Sequence, residues 1–367
     1  MKFVFVSYVN TPAFDRPEDW VSRIKAYLGI LHSLSKLGHT VISIDQINYE
    51  GEYLSNGVHH YFVNFGNYAL YFPWQLHRFV KKLKPDIVVV NGLHFPLQII
   101  QLRLQLGRKI RIIAQNHAEK PFPGIKKYLQ LLADHCINAY LFCSKAMGEE
   151  WVTKGNIGSL KKIHEVMEVS SEFYLTDKTL AKAKNNISGS PVYLWVGRMN
   201  RNKDPLTVVK AFLRFIENWP SARLYMIFQT TELLDEIQKI LAGKKNNKDA
   251  VILIGKVPHD EMIYWYNSSD FIISGSYYEG SGTAVCEAMS CGCIPILTDI
   301  LSFRMMTDNG NYGSLYPPGN ADALLVLLTN SVLIDINENR NKTLEQFNKT
   351  LSFDAIARQF QDIAVSI

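Results

Sequence analysis

Cysteine is scarce in this sequence and shows no regular spacing. There are five cysteines, an odd number, which argues against the paired disulfides of a small secreted domain. Cys286, Cys291 and Cys293 lie close together, but no histidine stands near them to complete a metal site. We therefore predict that these three residues are buried, reduced thiols and that the protein binds no metal there.

Long apolar runs are also missing. No stretch approaches the ~18 consecutive apolar residues that a membrane-spanning helix needs. The apolar start, residues 3–9, is too short for a signal peptide, is soon followed by Asp15 and Arg16, and lacks a small-residue cleavage site. Hydrophobic residues make up 47% and charged residues 20% of the 367, which is typical of a globular protein. We expect a cytoplasmic protein with two domains.

Acidic residues are sparse in one part of the chain. The net charge is +5, and residues 1–172 carry 20 Lys/Arg against 14 Asp/Glu. Between residues 78 and 127 there are 11 basic residues against Asp86 and Glu119 alone. Such a stretch favours an anionic phospholipid surface or a lipid-phosphate-linked acceptor, although solvated helix ends would give the same composition. Without interleaved aromatic residues or a known module, nucleic-acid binding is not predicted.

Short apolar segments alternate with longer helical ones, a pattern that predicts parallel sheets covered on both faces. The expected strands of the first half are 3–9, 40–45, 86–91, 110–115 and 139–143. An amphipathic helix with apolar residues from Val21 to Leu37 lies between the first two and is expected to stop at Gly38. The pattern restarts after a polar, turn-rich stretch, with strands at 192–196, 223–228, 251–254, 271–274 and 294–297.

This alternation predicts a first α/β domain over 1–172 and a second over 173–350. Residues 351–367 form a terminal amphipathic helix, and its packing back toward the first domain is left open. Ligands of open α/β sheets lie at the carboxyl ends of the strands, so we expect the chemistry in a cleft that both domains face.

Residues 274–295 combine a glycine-containing turn with two glutamates. A strand is expected to end near Ser274 and a helix to begin near Thr283. Glycine lets the backbone approach a ligand, and free N–H groups at a helix N-terminus favour a phosphate. The turn holds Gly280, Ser281 and Gly282.

Glu279 and Glu287 flank this turn. A carboxylate beside a phosphate would repel it, unless the carboxylate binds another part of the same ligand. Sugar and ribose hydroxyls fit, since a carboxylate accepts several hydrogen bonds. The alternative is a surface loop followed by an ordinary glutamate in the first turns of a helix.

A second segment, residues 196–205, places Arg198 and Lys203 after the opening strand of the second half. Two cations can neutralise the charge that develops on a departing diphosphate. The alternative is that these charges merely solvate the loop.

Together these segments resemble glycosyltransferase family 4, in which seven residues separate two glutamates and an Arg/Lys pair precedes them. The matching positions here are Arg198, Lys203, Glu279, Glu287, Ala288, Met289, Gly292 and Pro295. Ser281 departs from the usual Phe, residues 10–20 replace the usual Gly-Gly loop, and residues 168–171 replace the usual Pro-Asn-Gly. The resemblance is specific over residues 190–320 and loose over 1–170.

The resemblance implies a GT-B fold, two Rossmann-like domains facing a central cleft, and a retaining glycosyltransferase. Such an enzyme moves a hexose-type sugar from a nucleoside-diphosphate sugar, UDP-linked rather than GDP-linked, to a glycan or lipid-linked acceptor without a metal. It would act in the synthesis of a surface polysaccharide or glycolipid, with peripheral contact on the inner membrane leaflet. Acceptor identity lies beyond the sequence, because the first loop is atypical.

The resemblance also assigns roles to individual residues. Arg198 and Lys203 would bind the diphosphate, with the amides of Gly280 to Thr283; Glu287 would hold the ribose and Glu279 the transferred sugar. Weaker matches place the nucleobase against Lys256 and Val257, and His117 at the sugar site. Further expected neighbours of the donor are Arg201, His259 and Tyr278.

Three other classes compete. A nicotinamide oxidoreductase requires Gly-x-Gly-x-x-Gly after the first strand, but the loop there contains no glycine. A phosphorylase or epimerase on the same scaffold stays open, as does a non-catalytic protein that binds sugar nucleotides or membranes.

Overall fold

The computed structural model describes residues 1–65, 70–243 and 249–367. The chain folds as two compact units. Unit 1 contains Met1–Ser170 together with Phe353–Ile367, and unit 2 contains Ser171–Ser352. The last helix therefore belongs to the same unit as the first strand.

The sheet of unit 1, over the described residues, has eight strands in the order β3-β4-β2-β1-β5-β6-β7-β8. Every neighbouring pair is parallel except β3 and β4, which form a hairpin. The strands are β1 Lys2–Thr11, β2 Thr40–Ile47, β3 Gly51–Ser55, β4 Val58–Phe62, β5 Ile87–Asn91, β6 Arg111–Gln115, β7 Ala139–Phe142 and β8 Ile163–Glu165.

The helices of unit 1 connect these strands. They are α1 Pro17–Arg23, α2 Lys25–Lys36, α3 Trp74–Lys82, α4 Pro96–Leu106, α5 Gly124–Asp134, α6 Lys145–Thr153 and α15 Phe353–Ser366, with a 3-10 turn at Leu160–Lys162. Helix α15 packs on α2, where Phe353 fills the space beside Gly29 and Phe360 contacts Phe5. Ser33 Oγ donates to Asp354 Oδ1 (2.7 Å), which adds a polar link between the two helices.

Unit 2 contains a six-stranded sheet, counted over its described residues, in the order β11-β10-β9-β12-β13-β14. All neighbouring pairs are parallel. This is the strand order of a doubly wound dinucleotide-binding fold, in which the order reverses between the first and fourth strands. The strands are β9 Val192–Gly197, β10 Arg223–Phe228, β11 Val251–Gly255, β12 Phe271–Ser274, β13 Ile294–Thr298 and β14 Ser314–Tyr316.

The helices of unit 2 cover both faces of that sheet. A buried aromatic group on one face joins Tyr193 of β9 to Phe271 of β12, with ring centroids 5.0 Å apart. The elements are α7 Lys178–Lys184, α8 Pro205–Phe215, α9 Leu234–Ala242, α10 Met262–Ser268, α11 Thr283–Ser290, α12 Leu301–Met306, α13 Ala321–Ser331, α14 Ile336–Gln346, a 3-10 turn at His259–Glu261 and a π-helical turn at Phe347–Leu351. The prediction of two parallel-sheet α/β domains is confirmed.

Three features differ from the sequence prediction. The helix expected from Val21 to Leu37 is two helices, because the backbone of Ile24 (φ −102°, ψ 17°) leaves the helical region between α1 and α2. The hairpin β3–β4 was not predicted, although Asn56-Gly57, both with positive φ, supplies its turn. The short strands β8 and β14 were also missed, since three residues are too few to show a period.

Cys286, Cys291 and Cys293 are buried and form no disulfide. Burial raises the pKa of the Cys291 thiol to about 12, with a smaller opposing effect of the Ser290 hydroxyl. Within the described residues, no group of three His, Cys, Asp or Glu side chains is arranged to hold a metal ion. In the same part of the chain, no helix combines the length and apolar character that a bilayer crossing requires.

Candidate functional site

The loop between β9 and α8 carries Arg198 and Lys203 on a tightly folded backbone. The side chain of Asn200 accepts a hydrogen bond from the Lys203 amide (3.1 Å), and its carbonyl accepts one from the Asp204 amide (3.2 Å). Asp204 adopts a left-handed conformation (φ 38°) and caps α8 through the Thr207 amide (3.2 Å). Lys203 is thus held by a fixed turn, whereas Arg198 is exposed at the end of β9.

The loop between β12 and α11 ends on Gly282, whose positive φ of 59° turns the chain into the helix. A Cβ atom there would lie 2.8 Å from the ring of Phe303, so a larger residue would clash. Helix α11 begins at Thr283, as predicted, and Gly282 supplies no side-chain cap. The first amides of α11 can therefore donate hydrogen bonds to a ligand oxygen.

These two loops lie directly against each other. The carbonyl of Asn202 accepts a hydrogen bond from the Tyr277 amide (2.8 Å), and its side-chain amide donates to the Tyr278 carbonyl (3.0 Å). Gly275 makes the approach possible, because a Cβ atom there would stand 2.8 Å from the carbonyl oxygen of Asp204.

The contact between the loops includes an ion pair. The Lys203 ammonium bonds to Oε1 of Glu279, and both side chains are largely buried. Two residues predicted from separate segments, for the diphosphate and for the sugar, are therefore direct neighbours. The pairing leaves further N–H groups on the ammonium, which has three donors.

Glu287 is held by two hydrogen-bond donors on another side of α11. The residue is 7% exposed; its Oε1 lies 2.8 Å from Nε2 of His259, and its Oε2 accepts from the Tyr266 hydroxyl at 2.8 Å. Burial, and then the charge of Glu287, raise the pKa of Tyr266 well above its usual value, so the phenol stays a donor at neutral pH. The ring of Phe173 packs against both partners.

Lys256 and Val257 follow the end of β11 and precede the 3-10 turn that begins with His259. The predicted nucleobase segment therefore leads into the residue that bonds to Glu287. Val257 is half-buried and Lys256 is exposed. Arg201 is exposed, and Tyr278 contributes its carbonyl to the contact with Asn202.

In unit 1, His117 follows the carboxyl end of β6 and its Nδ1 pairs with the carboxylate of Glu168. Glu119 organises the same loop, since its carboxylate accepts hydrogen bonds from the amides of His117 (2.6 Å) and Leu93 (2.8 Å). Burial alone would lower the pKa of His117, but the hydrogen bond and charge of Glu168, helped by Glu119, outweigh it and raise the pKa. The imidazole ring is 37% exposed, so it can reach a ligand.

Several contacts of this site were not predicted from the sequence. Asn202 and Gly275 join the two loops, Tyr266 holds Glu287, and Glu168 holds His117. Only Gly275 carried a usable signal, as a glycine directly after a buried strand. The others are ordinary residue types whose partners lie 21 to 76 positions away.

Comparison with known proteins agrees with this geometry. Residues 177–347, which include both loops and Glu287, match the model of a family described as glycosyl transferases group 1. The matched residues lie within unit 2.

Two curated relatives carry the names of glycosyltransferases. An uncharacterized glycosyltransferase of Methanocaldococcus jannaschii is 23% identical over 241 residues, covering 62% of this chain and 58% of its own length. The UDP-Gal:alpha-D-GlcNAc-diphosphoundecaprenol alpha-1,3-galactosyltransferase of Escherichia coli is 26% identical over 199 residues, covering 52% and 50%. This chain spans about half the length of the curated relatives it matches.

A solved glycosyltransferase from Rickettsia africae resembles the whole chain, with a TM-score of 0.76 and 18% identity, covering 100% of this chain and 97% of the other. At this identity the likeness concerns the fold alone. It agrees with the predicted GT-B fold class of two α/β domains, of which the second contains the matched residues 177–347.

Proposed function

We propose that this protein is a retaining glycosyltransferase that moves a hexose-type sugar from a nucleoside-diphosphate sugar to an acceptor hydroxyl. The observation that carries the proposal is the contact between the two loops of unit 2. It joins a cation suited to a diphosphate, Lys203, to a carboxylate suited to a sugar, Glu279, beside the uncapped start of α11. Chemically, this combination fits a sugar diphosphate better than either group alone.

The diphosphate would be bound by Arg198, Lys203 and the amides from Gly280 to Thr283, including that of Ser281. The Lys203 ammonium can keep its bond to Glu279 and still donate to a phosphate oxygen. Arg198 is exposed, and its planar guanidinium suits two phosphate oxygens. With two cations and a helix N-terminus on the phosphates, the reaction would need no divalent metal.

The rest of the donor would be recognised by carboxylates and backbone. Glu287 would accept hydrogen bonds from the ribose hydroxyls, because His259 and Tyr266 fix both of its oxygens without using all their lone pairs. Glu279 would bind hydroxyls of the transferred sugar. Val257 would line the nucleobase pocket, and we favour UDP-sugars over GDP-sugars.

The reaction would form a bond from the acceptor oxygen to the anomeric carbon as the bond from that carbon to the phosphate oxygen breaks. The acceptor would attack from the face that the phosphate leaves, which retains the configuration. The hydroxyl proton would pass to the departing phosphate oxygen. Stabilising the negative charge on that oxygen, through Arg198, Lys203 and the α11 amides, would then supply most of the rate enhancement.

Unit 1 would supply His117 and the acceptor side. The raised pKa of His117 increases the share of imidazolium, and in that form the ring can donate its second N–H to a substrate oxygen. The curated E. coli relative is named for a diphosphoundecaprenol-linked acceptor. We propose a glycan or lipid-linked acceptor, used in surface polysaccharide or glycolipid synthesis by a cytoplasmic protein in peripheral contact with the inner leaflet.

A donor screen followed by two substitutions tests the proposal. Tight donors raise the melting temperature by mass action, so UDP-hexoses should raise it more than GDP-hexoses do. With the best donor, slow hydrolysis can be followed without an acceptor. We expect Arg198→Ala and Lys203→Ala to lower kcat by roughly 10²-fold, with a smaller change in KM.

Lys210→Ala is the matched control, because Lys210 is an exposed lysine in the middle of α8. It should hydrolyse the donor at the parent rate. A donor that binds but is never hydrolysed would indicate a binding protein. A product with inverted anomeric configuration in proton NMR would contradict the proposed retention.

A further inference from the structure

Helices α3, α4 and α5 of unit 1 share one surface that is unusually rich in exposed apolar side chains. Helix α3 packs on α4, and α4 packs on α5, so their outer sides are continuous. Of the 23 large hydrophobic side chains exposed in the described part of the chain, nine belong to residues 70–132. These nine are Leu70, Tyr71, Phe72, Trp74, Leu97, Leu104, Ile125, Tyr128 and Leu132.

The exposed side chains follow the helical period, so they form ridges on single helix sides. On α5, Ile125, Tyr128 and Leu132 are spaced by three and four residues and point outward together. On α4, Leu97 and Leu104 are two turns apart on the outer side. A water-facing helix side would normally be polar, so these ridges are suited to an apolar environment.

An aromatic segment before α3 extends the same surface. Gln98 and Gln101 of α4 donate hydrogen bonds to the carbonyls of Leu70 and Tyr71, which fixes this segment on α4. Tyr71 and Phe72 are exposed there, and so is Trp74, the first residue of α3. Tyrosine and tryptophan with an apolar body and a polar tip are typical of the boundary between water and lipid.

Basic residues neighbour the ridges in sequence. Arg78, Lys81 and Lys82 are exposed on α3, and Lys127 stands next to Tyr128 on α5. Arg108 and Lys109 follow the end of α4. A bilayer with anionic headgroups would bind both kinds of side chain, the apolar ones in its interfacial layer and the basic ones at its phosphates.

We propose that this surface, the outer sides of α3, α4 and α5 with residues 70–72, docks the protein on an anionic bilayer. It deepens the membrane contact proposed above by adding insertion of apolar side chains to electrostatic attraction. A second copy of the chain is the weaker candidate for an occupant. Two identical surfaces pressed together would set their Lys and Arg residues against each other, with 11 basic and two acidic residues in 78–127 of each copy.

Vesicle flotation tests the docking without using transfer activity. The parent protein is mixed with vesicles of phosphatidylcholine alone or with about 30% phosphatidylglycerol, at low and high salt. We expect binding to the anionic vesicles, weakened by salt. Leu104→Ser/Ile125→Ser should bind at least roughly tenfold more weakly, since each lost side chain removes apolar area from the contact.

Leu180→Ser/Leu333→Ser is the matched control, because those leucines are 73% and 78% exposed in unit 2, against 75% and 80% for Leu104 and Ile125. It should bind as the parent does. Lys81→Gln/Lys82→Gln should weaken binding to anionic vesicles by roughly tenfold or more, whereas Lys210→Gln/Lys239→Gln should not.

Three results would overturn the docking proposal. The first is that the parent protein fails to float with anionic vesicles, and the second is that the Leu104→Ser/Ile125→Ser variant floats as well as the parent. The third is a parent dimer in solution that the same pair of substitutions dissociates. None of these results bears on donor hydrolysis, which is measured in solution and tests the proposed function separately.

Discussion

Two opposing effects act on the pKa of His117. Its environment removes water from the ring, which disfavours the imidazolium, while Glu168 bonds directly to Nδ1 and favours it. The result is a pKa above the ordinary value of about 6.5. When the ring is protonated it can only donate hydrogen bonds, so that form would suit an oxygen of the substrate rather than a proton to be removed.

This charge balance predicts a pH dependence of stability. Because the folded pKa of His117 lies above the unfolded one, protonation stabilises the folded protein fully below about pH 6.5. That contribution is lost as the pH rises through the higher folded pKa. In an NMR titration the His117 ring should have its midpoint above 6.5, and Glu168→Gln should move the midpoint downward.

Glu165→Gln serves as the control, since the Glu165 carboxylate accepts a hydrogen bond from the Lys145 amide instead (2.8 Å). It should leave the His117 midpoint in place. If Glu168→Gln also left it there, another group would have to account for the raised pKa of His117.

Residue types could be predicted from the sequence better than residue partners. Lys203 and Glu279 were each selected for their chemistry, but their ion pair joins positions 76 apart and depends on how two loops meet. Likewise, no sequence motif singles out Tyr266, and only the fold shows that its hydroxyl donates a hydrogen bond to Glu287. Local patterns carry no information about such distant contacts.

Among elements, the β9–α8 and β12–α11 loops behave as one structural piece. Gly275 lies where a side chain would meet the carbonyl oxygens of Asp204 and Lys203, at 2.8 and 3.2 Å. The first loop therefore cannot move away from the second without losing the Asn202 hydrogen bonds, nor toward it without collision. This coupling fixes the distance between the Lys203 ammonium and the start of α11.

Gly275→Ala should therefore separate the two loops. We expect a loss of roughly 1–3 kcal/mol in the free energy of unfolding, from overpacking against backbone that cannot rotate away. Donor affinity, measured by calorimetry, should fall as well, because Lys203 and the α11 amides would no longer fit one diphosphate.

Gly243→Ala provides the comparison, because a Cβ atom on Gly243 would come no closer than 3.5 Å to any neighbour. It should preserve both stability and donor affinity. Equal donor affinity for Gly275→Ala and Gly243→Ala would show that the loops tolerate separation.

The elements of the two sheets were predictable because most strands are continuous apolar runs between turn residues. β10 and β12 have the predicted bounds, and β1, β2, β5 and β6 differ by a few residues. The β3–β4 hairpin was not predicted because His59, His60 and Tyr61 obscure the alternation of apolar and polar residues that is typical of a strand. The break at Ile24 was not predicted because the helical spacing of apolar residues continues from α1 into α2.

For the whole molecule, the return of α15 to unit 1 makes that unit depend on the end of the chain. Ile356 and Phe360 are fully buried there, and Arg111 donates a hydrogen bond to the Ala364 carbonyl (2.9 Å). Phe360→Ala should cost about 3–5 kcal/mol through the cavity it leaves. Hydrogen exchange should become faster in β1 and α2, while the strands of unit 2 keep their protection.

Val365→Ala is the control on the same helix, because Val365 is 69% exposed. It should leave exchange unchanged throughout. Faster exchange in unit 2 after Phe360→Ala would mean that the two units do not unfold separately.

The position of α15 also bears on how the chain could be circularly permuted. The amino group of Met1 lies 3.4 Å from Nδ1 of His39, and Nε2 of the same ring lies 3.0 Å from Oε1 of Gln361. Five residues of helix beyond Gln361 add only about 8 Å, so a short linker would join Ile367 to Met1. A circular permutant opened between Ser352 and Phe353 would then carry unit 1 as one uninterrupted stretch, followed by unit 2, and each could be expressed alone.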